Sequence, residues 1–244
     1  MDLKGKTALV TGGGVRIGRV VSEALAARGC HVAIHCNRSG KQASSLAARL
    51  RRLGVRAFTV KGDFRTSDDC RRVVDQSLQA AGRLDILINN AAVFRKQRLL
   101  SASEADIRHE FEINLLAPLW LIRAFASRAR KGRVLNLLDR RITSNAPGML
   151  PYLLSKKGLA DLTKLAALEL APSITVNGVA PGPVLGPAAR AGVREKAGRL
   201  PLGRKPTVKD LVQAVMFLLE CDSITGQVLF VDSGQHLLGS EVTM

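Results

Sequence analysis

One α/β domain built on a doubly wound parallel sheet is the fold the sequence predicts, on three observations. Short apolar runs alternate with helix-length amphipathic segments along the chain. A glycine cluster, Gly12-Gly-Gly-Val-Arg-Ile-Gly18, stands between the first such run and the first helical segment. No linker or repeat divides the 244 residues, so residues 1–244 are expected to form a single domain.

The elements follow in order. Thr7–Thr11 is a short apolar strand. It enters the glycine cluster, and residues 19–28 follow with Val20, Val21, Ala24, Leu25 and Ala27 at helical spacing. Gly29 ends that helix, and Cys30–His35 is a second strand. A strand, glycine turn, helix and strand within about 30 residues form a βαβ unit of the Rossmann type. Its glycines let backbone N–H groups approach a pyrophosphate at the positive end of the helix.

Residues 41–53 read as a helix with Leu46, Leu50 and Leu53 apolar, and Val55–Val60 as strand three. Asp63-Phe64 follows, where a side chain would meet an adenine ring. Thr66 and Asp69 cap a helix over 67–81. Leu84–Asn89 is strand four, running into Asn89-Asn-Ala-Ala-Val-Phe94. Ser101 or Ser103 caps a helix spanning about 104–130, with Phe111, Leu115, Leu119 and Ile122 on one side. Arg133–Leu138 is strand five and ends at Asp139. Residues 152–170 are a helix with more apolar positions than one buried face needs. Ile174–Val179 is strand six, followed by Pro181-Gly-Pro. Residues 183–206 are Pro/Gly-rich and basic and suit a lid. Thr207 and Asp210 cap the helix 207–220, and Gln227–Asp232 is the last strand. The crevice at the carboxyl ends of the strands is the expected site.

Composition narrows the function classes. Hydrophobic residues make up 46% of the chain, enough for a sizeable core. The four cysteines (Cys30, Cys36, Cys70, Cys221) form no CxxC pair and no metal spacing, and fit thiols in a reducing compartment. The amino terminus has no signal-peptide pattern, and no apolar run is long enough to span a membrane, so a cytoplasmic protein is expected. The formal net charge is +17. Basic residues cluster over 123–141 and 189–209, a surface that attracts polyanions. Aromatics are not interleaved with them, which argues against a single-strand nucleic-acid platform.

At the end of strand two, an NAD-binding unit usually carries an acid for the ribose 2′-hydroxyl. Here the segment is His35-Cys-Asn-Arg-Ser39. Arg38 and Ser39 suit a 2′-phosphate, with Arg16 as a second cation, so NADP(H) is the expected cofactor. Tyr152 and Lys156 lie four residues apart, on one face of a helix. A cation beside a phenol favours phenolate, so the pair is a candidate proton-transfer unit. Tyr152 is the only tyrosine in the chain.

Taken together these landmarks resemble the short-chain dehydrogenase/reductase family over nearly the whole chain, from Leu3 to about Leu238. The matching motifs are Thr11–Gly18, Asp63, Asn89–Ala92, Asn114, Tyr152-Leu-Leu-Ser-Lys156 and Asn177–Gly182. The resemblance implies a Tyr152 acid, a Lys156 that holds the nicotinamide ribose and lowers the tyrosine pKa, and an Asn114 that supports a relay water. It implies cofactor contacts at Gly12, Val15, Arg16, Ile17 and Gly18, then at His35, Asn37, Arg38 and Ser39. Further contacts are implied at Asp63 and Phe64, at Asn90, Ala91 and Ala92, at Tyr152 and Lys156, and at Pro181, Gly182 and Val184. It also implies a homotetramer.

Two positions depart from the family pattern. The serine usually found 13 residues before the tyrosine is Asp139, which alternatively pairs with Arg140 or Arg141. Arg16 replaces a usual Gly or Ala. Both departures resemble the pteridine reductases and dihydromonapterin reductases, as do His35, Arg38, Ser39 and Phe94; Ala92, where a serine is common, does not. That resemblance implies a pterin-like substrate stacked on Phe94, bounded by Arg16, with Asp139 and Tyr152 as proton relay. A carboxyl in such a closed cleft is expected to have a raised pKa. The alternatives are a 3-oxoacyl-thioester carbonyl reductase and an NADPH-binding sensor.

Overall fold

The computed structural model describes residues 1–185 and 199–238. Seven parallel strands form one sheet in the order β3-β2-β1-β4-β5-β6-β7. They are β1 Thr7–Val10, β2 His31–Cys36, β3 Ala57–Lys61, β4 Ile86–Asn89, β5 Gly132–Leu137, β6 Ile174–Pro181 and β7 Val228–Val231. The central strands are buried on both faces and read as unbroken apolar runs. Edge strand β3, Ala-Phe-Thr-Val-Lys, is only partly covered.

The helices are α1 Arg16–Ala27, α2 Gly40–Arg51, α3 Ser67–Ala81, α4 Glu104–Phe111, α5 Ala117–Ala126, α6 Leu150–Leu170 and α7 Val208–Glu220. Val21 and Leu25 of α1, Leu46 of α2 and Leu211 and Val215 of α7 pack on one face of the sheet. Val73 and Val74 of α3, Leu121 and Phe125 of α5 and Ala166 and Ala167 of α6 pack on the other. The α/β class and the doubly wound sheet are therefore as the sequence predicts. The strand order reverses between β1 and β4, and the carboxyl ends of those strands open the switch-point crevice.

Two expectations are corrected. The segment 41–53 ends its helix at Arg51, leaving Leu53 57% exposed. The helix over 104–130 is broken by a π-type turn at Glu112–Leu116. Its buried stripe is Ala117, Leu121, Ile122, Ala124 and Phe125 rather than Phe111, Leu115, Leu119 and Ile122 as a set. Pro118 explains the break, because it has no N–H for the Asn114 carbonyl four residues back. Residues 186–198 of the expected lid lie outside the described residues. No described helix is long and apolar enough to cross a membrane.

Candidate active site

The glycine loop leaves β1 and is tied to the end of β4. The Thr11 hydroxyl accepts N–H bonds from Asn90 (2.8 Å) and Ala91 (2.9 Å), and the Asn90 amide donates to Thr11 O at 2.7 Å. That tie leaves little room for side chains in the loop. A Cβ on Gly18 would lie 2.3 Å from Gly12 O and 2.6 Å from Asn90 Nδ2, and Gly12 has φ +60°. Arg16 has φ +49°, which costs a non-glycine residue roughly 1–2 kcal/mol. Glycine suits this backbone, so the exposed guanidinium is the feature that compensates.

The start of α1 is a ready anion site. Val15 provides no side-chain cap, and the first turn holds no acid. Arg38 is exposed and has no ion-pair partner among the described residues. Ser39 flanks it at the start of α2, and Asn37 is exposed beside them. Asp63 pairs with Arg65 at 2.8 Å beyond β3. Gly182, after β6, donates its N–H to Val231 O, and a Cβ there would lie 2.8 Å from Asp232 Cα. Pro181 and Val184 flank it. These residues form a cradle lined by backbone and cations, into which a phosphorylated dinucleotide fits.

Two of the expected cofactor contacts are buried and packed against each other. His35 is only 2% exposed and sits beneath the glycine loop. Its Nδ1 accepts the Gly12 N–H at 3.1 Å, so the ring proton is on Nε2, 3.3 Å from Gly62 O. Burial pushes its pKa down to about 4, so the strut is neutral. Phe64 is buried, and one face of its ring stacks on His35 with centroids 4.1 Å apart.

The opposite side of the crevice is a charged, desolvated cluster. Asp139 follows β5, and Tyr152 and Lys156 stand one turn apart on α6. Tyr152 OH donates to Asp139 Oδ2 at 2.8 Å. Lys156 Nζ, 3% exposed, donates to Leu137 O at 2.7 Å, and burial pushes its pKa down to about 8 against the pull of Asp139. The expectation that the cation lowers the phenol is corrected. Burial, then the Asp139 carboxylate, hold Tyr152 well above the ordinary tyrosine range. The cation that opposes this rise is Arg141, not Lys156.

Arg141 is a site residue that the sequence offered only as an ion-pair partner. It lies on a short 3-10 turn, Arg140–Thr143, that Asp139 caps by accepting the Arg141 N–H at 2.9 Å. Its guanidinium is 3.7 Å from Asp139 Oδ1 and 5.8 Å from the Phe94 centroid. Phe94 in turn meets the Tyr152 ring edge-on, with centroids 4.7 Å apart. The site thus brings Phe94, Asp139, Arg141, Tyr152 and Lys156 together. Asn114 stands behind them in the π-type turn. Its amide exchanges bonds with Val93 N and O, both at 2.9 Å, and donates to Ser155 Oγ at 3.1 Å. Those bonds occupy the side chain.

A glycine loop at the switch point, facing a Tyr–Lys–Asp cluster across the ends of β4 and β5, defines a dinucleotide-dependent oxidoreductase. The family model for short chain dehydrogenase matches residues 6–197. The chain is 31% identical over 242 residues to the 3-oxoacyl-[acyl-carrier-protein] reductase FabG of Staphylococcus aureus, covering 95% of this chain and 98% of that protein. The FolM alternative dihydrofolate reductase 1 from Brucella canis, complexed with NADP, superposes with TM-score 0.90 at 34% identity, over 97% of this chain and 96% of that one. A blue fluorescent protein from a metagenomic library, in complex with NADPH, gives 0.89 at 31% identity, over 96% and 99%. The chain belongs to the short-chain dehydrogenase family.

Proposed function

We propose that the protein is an NADP(H)-dependent reductase of pterin-type substrates. The observation that carries this reading is the 2.8 Å bond from Tyr152 OH to Asp139. The likeness to the FolM dihydrofolate reductase supports it, as do the NADP and NADPH complexes of its structural neighbours. Arg16, Arg38 and Ser39 hold the cofactor's phosphates, the glycine loop its pyrophosphate, and Lys156 its ribose. Bound there, the nicotinamide supplies a hydride to a ring carbon of the substrate's C=N bond.

The chain's own residues supply the proton to the adjacent nitrogen. Tyr152 does not give up its proton alone, because that would place a phenolate against the Asp139 carboxylate. The pair acts as one unit. The pair passes one proton to nitrogen, either directly or through the phenol, and takes one up from solvent, so that Tyr–OH bonded to Asp139 remains. That remaining state is the hydrogen bond observed. Arg141 steadies the carboxylate, and Phe94 offers an exposed aromatic wall to a flat heterocycle.

A second reading is a 3-oxoacyl-thioester reductase, favoured by the likeness to the Staphylococcus aureus enzyme. Asp139 opposes it, since a carboxylate is a poor neighbour for a developing alkoxide. NADPH oxidation with dihydrobiopterin, dihydrofolate and an acetoacetyl thioester separates the two. Turnover of a pterin is expected, and turnover of the thioester alone would overturn the proposal. We further propose, from the family resemblance and the exposed Leu116, Leu154, Leu165 and Leu168, that the protein assembles as a homotetramer in the cytoplasm. A mass measurement in solution that gives a monomer would contradict the assembly.

A further inference from the structure

Glu110 is fully buried on α4, and no step of the proposed reaction uses it. Its Oε1 accepts the backbone N–H of Arg95 at 2.7 Å, while Oε2 has no hydrogen-bond partner among the described residues. Two neighbours on the same helix face do related work. Asp106, four residues earlier, pairs with the Arg95 side chain and accepts from Gln97 Nε2 at 2.7 Å. Asn114, four residues later, holds Val93 N and O. Side chains at this spacing line one side of a helix. They grip the segment 93–97 on both sides of Phe94, which is 46% exposed and has no polar side-chain atom of its own to anchor it. Asn114 also reaches Ser155, whose hydroxyl donates to Tyr152 O at 2.8 Å.

We propose that Glu110 is a positioning residue, fixing the peptide after Phe94 so that the Phe94 ring stays edge-on to Tyr152 at the substrate face. A buried carboxylate with one oxygen unpartnered is costly, whereas the neutral acid keeps the acceptor that Arg95 needs. Burial accordingly raises the Glu110 pKa. Asp106 and Asn114 anchor the segment on either side, but only Glu110 holds the peptide bond directly following Phe94. The effect on substrate rests on the pterin reading, while the geometric claim does not.

Tyr152 is the sole tyrosine, so protein carrying 13Cζ-labelled tyrosine gives one signal that reports the nearby aromatic ring. Glu110→Leu is expected to move that signal in the same direction as Phe94→Leu, and Glu110→Gln to leave it near the wild-type position. With dihydrobiopterin, Glu110→Leu raises KM roughly ten-fold, as expected for a lost aromatic contact. NADPH affinity is unchanged, and Glu110→Gln restores KM. An unmoved signal in folded Glu110→Leu would overturn the proposal. Equal damage from Gln and Leu would overturn the role of the acceptor oxygen. Should the leucine variant not fold, hydrogen exchange in the wild-type chain decides: the Arg95 amide is expected to be protected although its side chain is exposed, and rapid exchange there would refute the grip. Absence of pterin turnover together with the expected signal shifts would count against the substrate reading alone.

Discussion

On the β1–β2 side of the crevice, recognition is built from backbone. Gly18 has no room for a Cβ, Gly12 sits at positive φ, and the support beneath them is a neutral histidine. On the β5–α6 side it is built from side chains: a carboxylate, a phenol, a guanidinium and an ammonium, with the phenol and ammonium buried. The first side can grip any phosphorylated dinucleotide of suitable size, because backbone N–H groups and fixed cations read charge and shape. On the proposed reading, the second decides what is reduced, because the position of one proton depends on which acid stands beside Tyr152.

This difference can be broken from either side. Tyr152→Phe removes the hydroxyl through which the proton moves. Turnover with dihydrobiopterin is expected to fall about 10²–10⁴-fold, with NADPH affinity retained by fluorescence titration. Loss of both would mean that the two sides are not separable. Next in size is the histidine strut. The His35 pKa of about 4 lies below its unfolded value of about 6.5. The folded state therefore binds fewer protons, and stability is full above pH 6.5 and lost as pH falls toward 4. The loss is about 3 kcal/mol, read by urea unfolding at several pH values and absent from His35→Gln. Gly18→Ala forces a Cβ onto Gly12 O and should weaken NADPH binding about 10–100-fold by overpacking. Unchanged affinity would show that the loop yields. Phe94→Leu is the mildest change, a several-fold rise in KM for dihydrobiopterin with kcat nearly kept.

The two sides also differ in how legible they are in the sequence. The glycine loop is readable because close backbone approach leaves a residue-type signature, and the alternation of strands with helices is enough for the sheet. Asp139 and Phe94 can be found because both follow β-strands, β5 and β4, within a few residues and fall within a family pattern. His35 can be placed at the site but not given its role, since whether a ring faces a ligand or supports a loop depends on packing against Phe64, which lies 29 positions away. Arg141 is hard to distinguish from its basic neighbours because a 3-10 turn aims it. Pro118, four residues after Asn114, is the overlooked signal for the broken helix. Glu110 has no signal beyond its spacing to Asn114, since its role follows from burial.

In the proposed reaction, Asp139 turns a tyrosine–lysine pair toward a ring nitrogen. The most direct test of that role is the ratio of kcat/KM for dihydrobiopterin to that for an acetoacetyl thioester, measured with NADPH in the wild type and in Asp139→Ser. The ratio is expected to exceed one in the wild type and to fall at least ten-fold in the variant, with NADPH affinity unchanged. A ratio that is the same in both proteins would contradict the role assigned to Asp139.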